Sequence, residues 1–191
     1  MASPVIYGPA LSTYVRTARL VCEEKDADYR LVEIDILKGG HKTPEHLARH
    51  PFGRVPAFEH DGFRLYETSA ITRYLDAILP GTPLTPADPK GAARMQQAVA
   101  IIDAYGYGAI ISACVIQRVV VPMTGGTTDE TVIAAALPTA QISLGAFEEL
   151  LGDHAWLAGD VLSLADLHVA RSWPISAARP RDRGSCPSTP S

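Results

Sequence analysis

The pair Asp61-Gly62 fixes the path of its neighbourhood more tightly than any other dipeptide in the chain. It separates two apolar runs, Val55 to His60 and Phe63 to Tyr66. A two-residue connection between strands needs positive φ at its centre, and Asp-Gly reaches that conformation at low cost. The spacing therefore predicts an antiparallel hairpin. From about Ser69 the pattern turns helical, with Ile71, Tyr74, Leu75 and Ile78 on one face.

A lone hairpin is marginal in water, so further strands must extend it. Upstream, Pro4 to Tyr7 form a short apolar run ended by Gly8-Pro9, which reads as a buried strand. Leu11, Val15, Ala18 and Cys22 recur at helical spacing, with Arg16, Arg19, Glu23 and Glu24 on other faces. This is an amphipathic helix starting near Ser12 or Thr13. Val32, Ile34 and Ile36 alternate and read as a second strand. Gly39-Gly40 opens a polar stretch through about His50. Residues 1–79 are thus expected to form one α/β unit.

Residues 80–87 are expected to be a linker, since Pro80, Pro83, Pro86 and Pro89 stiffen the chain and exclude helix. Beyond it the pattern is helical over about 88–120 and 129–151, with Ala140, Leu144, Phe147 and Leu151 as the stripe of the latter. Pro138 should kink or break that segment. Ser163-Leu164-Ala165-Asp166 reads as a helix start, a serine cap with a carboxylate three residues on. Residues 88–170 then make a partial helical domain. The composition changes abruptly after Ala170, and 171–191 read as an atypical tail rich in arginine, serine and proline.

Composition narrows the function classes. A net charge of −4 over 191 residues gives no reason to expect nucleic acid as a partner. Cys22, Cys114 and Cys186 are scattered, with no paired framework, so no disulfides are expected and a reducing cytoplasm is the expected location. The start of the chain lacks the basic and apolar regions of a secretory leader. No continuous run of 18 apolar residues is visible, so no membrane span is expected.

Four colinear segments carry a family resemblance: GPALSTYVRTARL, GGHKTPEHLARHPFGRVPAFE, RLYETSAITRYL and WLAGDVLSLADLHVA. Over roughly residues 3–170 the chain resembles the glutathione S-transferases, of the phi type and the related bacterial serine type. The resemblance implies an α/β plus all-α architecture. A thioredoxin-like βαβαββα N-terminal domain would precede a truncated helical-bundle C-terminal domain, in a homodimer. It also implies a detoxification-type transferase with glutathione as co-substrate, no metal, and a small hydrophobic electrophile as the second substrate, with neither nucleic acid nor membrane as partner. In that family the helix begun at Ser163 continues and others pack behind it. Residues 171–176 can be encoded as CGA TCC TGG CCT ATT TCC, which in a shifted frame gives Ile-Leu-Ala-Tyr-Phe, an apolar helical continuation. The tail is therefore expected to arise from a frameshift, and the second domain to be unstable without its missing cover.

Ser12 matches the family's catalytic serine. A thiol with an ordinary pKa near ~8.5 is only a few per cent ionised at neutral pH. Making it mostly thiolate needs about two units, or ~2.7 kcal/mol. A hydroxyl donating to the sulfur supplies ~1.5–3 kcal/mol, and a helix N-terminus adds ~0.3–2 kcal/mol. Serine would act as a hydrogen-bond donor, with Thr13 as the alternative; a plain helix cap is the competing reading of Ser12. No cysteine holds that position, which weighs against thiol exchange.

His41 and Lys42 match the pair that holds the glycyl carboxylate of glutathione, though each could be a solvated loop residue. Arg54, Val55 and Pro56 match the loop whose valine backbone pairs with the peptide and whose proline is cis. Pro56 could instead simply start an edge strand. Glu67 and Thr68 match the pair that binds the γ-glutamyl group, and Thr68 could also serve its helix. Tyr105, Tyr107, Ile111 and Val115 either line the second-substrate pocket or belong to the core. His46 and His50, four residues apart, have metal-like spacing but no third ligand in sequence, so no metal is expected. A non-catalytic glutathione-binding or scaffold protein, and a lyase, dehalogenase or peroxidase using glutathione, remain the alternatives.

Overall fold

The computed structural model describes residues 3–170. Its first half follows the order β1 (Val5–Tyr7), α1 (Thr13–Glu24), β2 (Arg30–Val32), a 3₁₀ turn (Gly40–Lys42), α2 (Pro44–Leu47), β3 (Ala57–His60), β4 (Phe63–Tyr66) and α3 (Thr68–Ile78). The strands form one sheet in the order β2-β1-β3-β4. β1 runs parallel to β2, with Ile6 opposite Leu31, and antiparallel to β3, with Ile6 opposite Phe58. The β3–β4 hairpin pairs His60 with Phe63, so Asp61-Gly62 is the whole turn, with φ of 48° and 79°. This mixed sheet is the thioredoxin-like domain that the sequence led us to expect.

Sequence and structure part at β2. It ends at Val32, and the alternating Ile34 and Ile36 lie in a loop. Ile34 still turns inward, against Gly40, while Ile36 is exposed. A loop that dips once into the protein mimics strand periodicity. Leu11 also departs from its expected stripe: it precedes the Ser12 cap and is 70% exposed.

α1 and α3 pack together, and burying Val15, Ala18, Val21 and Cys22 from one and Ile71 and Leu75 from the other closes the core around Ile6 and Phe58. Close approach is enforced at Gly8, where a Cβ would fall 2.5 Å from Val15 Cγ2. At the far end of the two helices, Lys25 Nζ meets Asp76 Oδ1 at 2.7 Å with both side chains buried.

The second half is helical: α4 (Pro89–Ile101), a wider segment (Ile102–Val120), α5 (Val121–Met123), α6 (Glu130–Leu151) and α7 (Leu164–Ala170). In the wider segment backbone bonds reach five residues back, as from Val121 N–H to Ile116 O, instead of four. The continuous helical stretch Pro89–Met123, 35 residues, is long and apolar enough to cross a membrane by length and composition, a test that a buried core helix also passes. Scattered polar residues such as Asp103 hide this from a search for unbroken apolar runs. Its Met95, Ala98, Ile102, Ala109 and Ile111 are buried in the protein.

α6 is a single helix in spite of Pro138. The carbonyl that loses its partner belongs to Ala134, and both residues are on the exposed side. The residues α6 buries are Ile133, Ala140, Ser143 and Phe147, whereas Leu144 and Leu151 of the expected stripe are exposed. α7 starts as expected: Asp166 Oδ2 accepts from Ser163 N and Oγ, each at 2.8 Å, and Oδ1 accepts from Leu157 N. α7 packs on both α4 and α1. His168, fully buried, lies 3.0 Å from Thr72 Oγ1 on α3. One apolar cluster accordingly runs from Ile6 and Phe58 through Leu84 and Met95 to Phe147 and Leu167. The expected frameshift falls on residues 171–191, and the third cysteine, Cys186, lies there too; these positions are outside the described residues.

Candidate active site

A cavity of about 890 Å³ opens between the sheet end of the first half and the wide helical segment. All eight residues matched to the family's glutathione site line it: Ser12, His41, Lys42, Arg54, Val55, Pro56, Glu67 and Thr68. They come from four places in the chain, and the sheet order explains the convergence. β1 and β3 are neighbours, so the loops that follow β1 and precede β3 meet, and α3 begins directly after β4.

Ser12 is the N-cap of α1, and its Oγ accepts from Val15 N–H at a long 3.5 Å. Capping uses a lone pair and leaves the hydroxyl proton available to a ligand. Cap and donor are thus compatible roles. The first turn of α1 carries no acidic side chain to offset the positive helix end. Thr13 is not among the lining residues. Tyr7 is buried, with its hydroxyl 3.5 Å from Glu59 Oε2 and the Arg49 guanidinium over its ring.

His41 and Lys42 sit on the 3₁₀ turn. The lysine side chain passes close to Gly53, where a Cβ would lie 3.0 Å from its Nζ and 3.1 Å from its Cδ. Gly53 also has φ +56°, so a side chain there would be strained as well as crowded. The Arg54 carbonyl accepts from the buried His46 Nε2 at 2.8 Å, which pins the loop entering β3. The Val55–Pro56 peptide is cis, as the resemblance implied.

Glu67 caps α3 with φ 69° and makes no side-chain capping bond. A non-glycine residue held at positive φ stores strain of order 1–3 kcal/mol. This conformation puts a carboxylate and the free N–H groups of a helix start on the same cavity wall. Thr68 is buried beside it.

The remaining walls contain residues the sequence reading did not assign to a substrate site: Tyr14, Ile36, Leu37, His50, Phe52, Gly53 and Asp103. Of the four second-substrate candidates only Tyr107 lines the cavity. Ile111 is in the core and Tyr105 is 62% exposed. Tyr107 packs on Tyr14, with ring centroids 4.6 Å apart. Asp103 lies four positions before Tyr107, a spacing that places both on one helical face and on the same cavity wall. Cys22 plays no part: burial, helped by Glu23, pushes its thiol up to about 12. Among the described residues no group of three or more metal-ligating side chains occurs.

Comparison with known proteins agrees with this geometry. Residues 6–77 match the glutathione S-transferase N-terminal domain, and residues 107–189 match the glutathione S-transferase C-terminal domain. Glutathione S-transferase F13 of Arabidopsis thaliana is 36% identical over 166 residues, which is 85% of this chain and 75% of that protein. The crystal structure of glutathione transferase F7 from Populus trichocarpa superposes with a TM-score of 0.78 at 33% identity, over 88% of this chain and 80% of that one. Maize glutathione S-transferase I, solved in complex with an atrazine glutathione conjugate, gives a TM-score of 0.78 at 32% identity, over 90% and 80%. The chain is a member of the glutathione S-transferase family.

Proposed function

We propose that this protein is a transferase that ionises glutathione at Ser12 and directs the thiolate onto a small hydrophobic electrophile. The observation that carries this reading is the single cavity in which Ser12, the cationic group His41, Lys42 and Arg54, and the Glu67–Thr68 helix start are gathered. Glutathione has carboxylates at both ends and an amine at one. The cations suit the glycyl carboxylate. Glu67 suits the γ-glutamyl amine, while Thr68 and the start of α3 suit the carboxylate beside that amine. The backbone of Val55, next to Pro56, is free to pair with the peptide in strand fashion.

The thiol loses its proton to solvent, and the Ser12 hydroxyl donates to the resulting sulfur anion at the positive end of α1. The sulfur then attacks an electrophilic carbon held near Tyr14, Ile36, Leu37 and Tyr107. A carbon–sulfur bond forms, and a leaving group such as halide departs with its electron pair. No metal enters this scheme. The maize relative's atrazine conjugate supports conjugation over lyase or peroxidase chemistry. We further propose that the protein acts as a cytoplasmic homodimer, and that residues 1–79, 80–87 and 88–170 are its glutathione domain, linker and helical domain.

The test is calorimetric binding of glutathione together with turnover of an activated aryl chloride, on the wild type and Ser12→Ala. The variant should bind within a few-fold of wild type, with turnover reduced roughly 10- to 100-fold, the worth of one hydrogen bond to an anion. The ultraviolet absorbance of the bound thiolate should report a raised thiol pKa. An unchanged thiol pKa in the variant removes Ser12 from the mechanism.

A further inference from the structure

His50 is the cavity residue with the least conventional surroundings. It is 2% exposed, yet it is among the residues lining the cavity, and its Nδ1 is buried without a hydrogen-bond partner. Its backbone is fixed from both sides, N–H to His46 O at 2.9 Å and C=O from Gly53 N at 2.8 Å. Its ring is held by aromatic neighbours, with the Tyr66 centroid at 4.9 Å and Phe52 edge-on at 6.2 Å. A buried polar atom with no partner costs about 1–3 kcal/mol, and a rigid mount prevents it from turning to find one. The spacing with His46 does not make a metal site among the described residues, because no third ligating side chain joins the pair.

Among the charged and titratable groups around His50, the fixed charges are the cations Lys42 and Arg54. His46 faces it from α2, His41 and Lys42 approach from the 3₁₀ turn, Arg54 follows Gly53 in the loop, and the Tyr66 phenol comes from β4. On α2's other side Glu45 is paired with Arg49. Burial first, then His46 and Arg54, hold the His50 pKa below its ordinary value, which favours the neutral imidazole. An anion entering among these cations reverses the sign of the local field and favours a proton on the ring.

We propose that His50 is an additional binding residue for the glycyl carboxylate of glutathione, and that it takes up a proton from solvent when that carboxylate enters. This rests on the glutathione reading above. The chemistry is a pH-linked anion contact: a neutral, poorly solvated imidazole becomes a charge-assisted donor only when occupied.

The probe is S-methylglutathione, whose sulfur cannot ionise, so that any proton exchanged belongs to the protein. Calorimetry at pH 7 in two buffers of different ionisation enthalpy should show net proton uptake. Affinity should rise as pH falls from 8 to 6, by up to about tenfold for each unit that the ligand raises the imidazole pKa. In His50→Gln the uptake and the slope should vanish while weaker binding persists. NMR titration of the His50 ring in the unmodified protein gives a reading independent of any variant's folding, and its midpoint should move up on saturation. Binding without proton uptake, or uptake that survives in His50→Gln, overturns the His50 assignment alone. Failure of the wild type to bind S-methylglutathione at all overturns the glutathione reading and this assignment with it.

Discussion

The first half of the protein and α6 bury apolar side chains to very different degrees. Ile6, Val15, Val21, Phe58, Ile71 and Leu75 are at most 1% exposed. On α6, Ile142 is 74% exposed, Leu144 48% and Leu137 46%. α6 is the more apolar of the two in sequence, so composition does not account for the contrast. The sheet supports helices that bury their apolar stripes against it, and the chain returns across it repeatedly. α6 rests on the wide segment along one side only, through Ile133, Ala140 and Phe147. The difference teaches that the cavity stands largely on the well-packed first half, with Asp103 and Tyr107 as the second half's contribution and none from α6.

If that contrast governs stability, Phe58→Ala should produce the largest loss, about 3–5 kcal/mol, because a buried aromatic leaves a cavity that the surrounding sheet cannot fill. Chemical denaturation measures it. A loss below ~1 kcal/mol would mean that the first half is softer than its packing indicates.

Asp76→Asn should come next, at roughly 3 kcal/mol, since it strands the buried Lys25 ammonium. Burial opposes ionisation of Asp76, but hydrogen bonds from Lys25, Leu84 N–H and Thr85 outweigh it, and the net pKa is lowered. A depressed carboxyl stabilises the fold fully above the unfolded value near ~3.9, and the contribution is lost as pH falls through the lower native value. The wild type should therefore lose stability on the acid side more steeply than the variant. Melting curves between pH 6 and pH 2 would show equal slopes if the pair contributed nothing.

Glu67→Ala tests whether rigidity at the site serves binding. KM for glutathione should rise roughly 10- to 100-fold with kcat little changed, since the ligand's amine does not change during reaction. Wild-type affinity by calorimetry would show that the ligand lies the other way round.

The smallest effect belongs to Leu144→Ser, within ~0.5 kcal/mol, as for an ordinary surface position. A cost approaching that of Phe58→Ala would break the comparison outright and show that the exposed side of α6 is covered in solution.

What could be read in advance follows from the range of the interactions concerned. The hairpin, the Ser12 and Ser163 caps and α3 are set by residues within a few positions of one another, so Asp61-Gly62 and the Ser163–Asp166 pair announced them. The cavity's motif residues were legible for another reason, the colinear resemblance. Ile34 and Ile36 misled because a single inward turn reproduces alternation. The α6 stripe misled because Leu144 has the right period but no neighbour to pack on. Gly53 and Asp103 were missed, and His50 was weighed only as a metal ligand, because their place in the cavity arises only when distant segments meet. The nearest signal was Gly53 beside Arg54-Val55-Pro56, a glycine at the entry to a strand.

Leu84 gives the connector a meaning beyond joining two halves. Its side chain is buried, its N–H donates to Asp76 Oδ1 at 2.8 Å, and its carbonyl accepts from Leu164 N at 2.9 Å. One residue thereby secures the end of α3, the connector and the start of α7. A hybrid that exchanges second halves between relatives therefore has a preferred splice point. Joining before Leu84 would import a foreign residue into a knot tied by Asp76, whereas joining after Thr85 keeps both strands of the knot native on the first half and asks of the donor only a free N–H at the start of its last described helix.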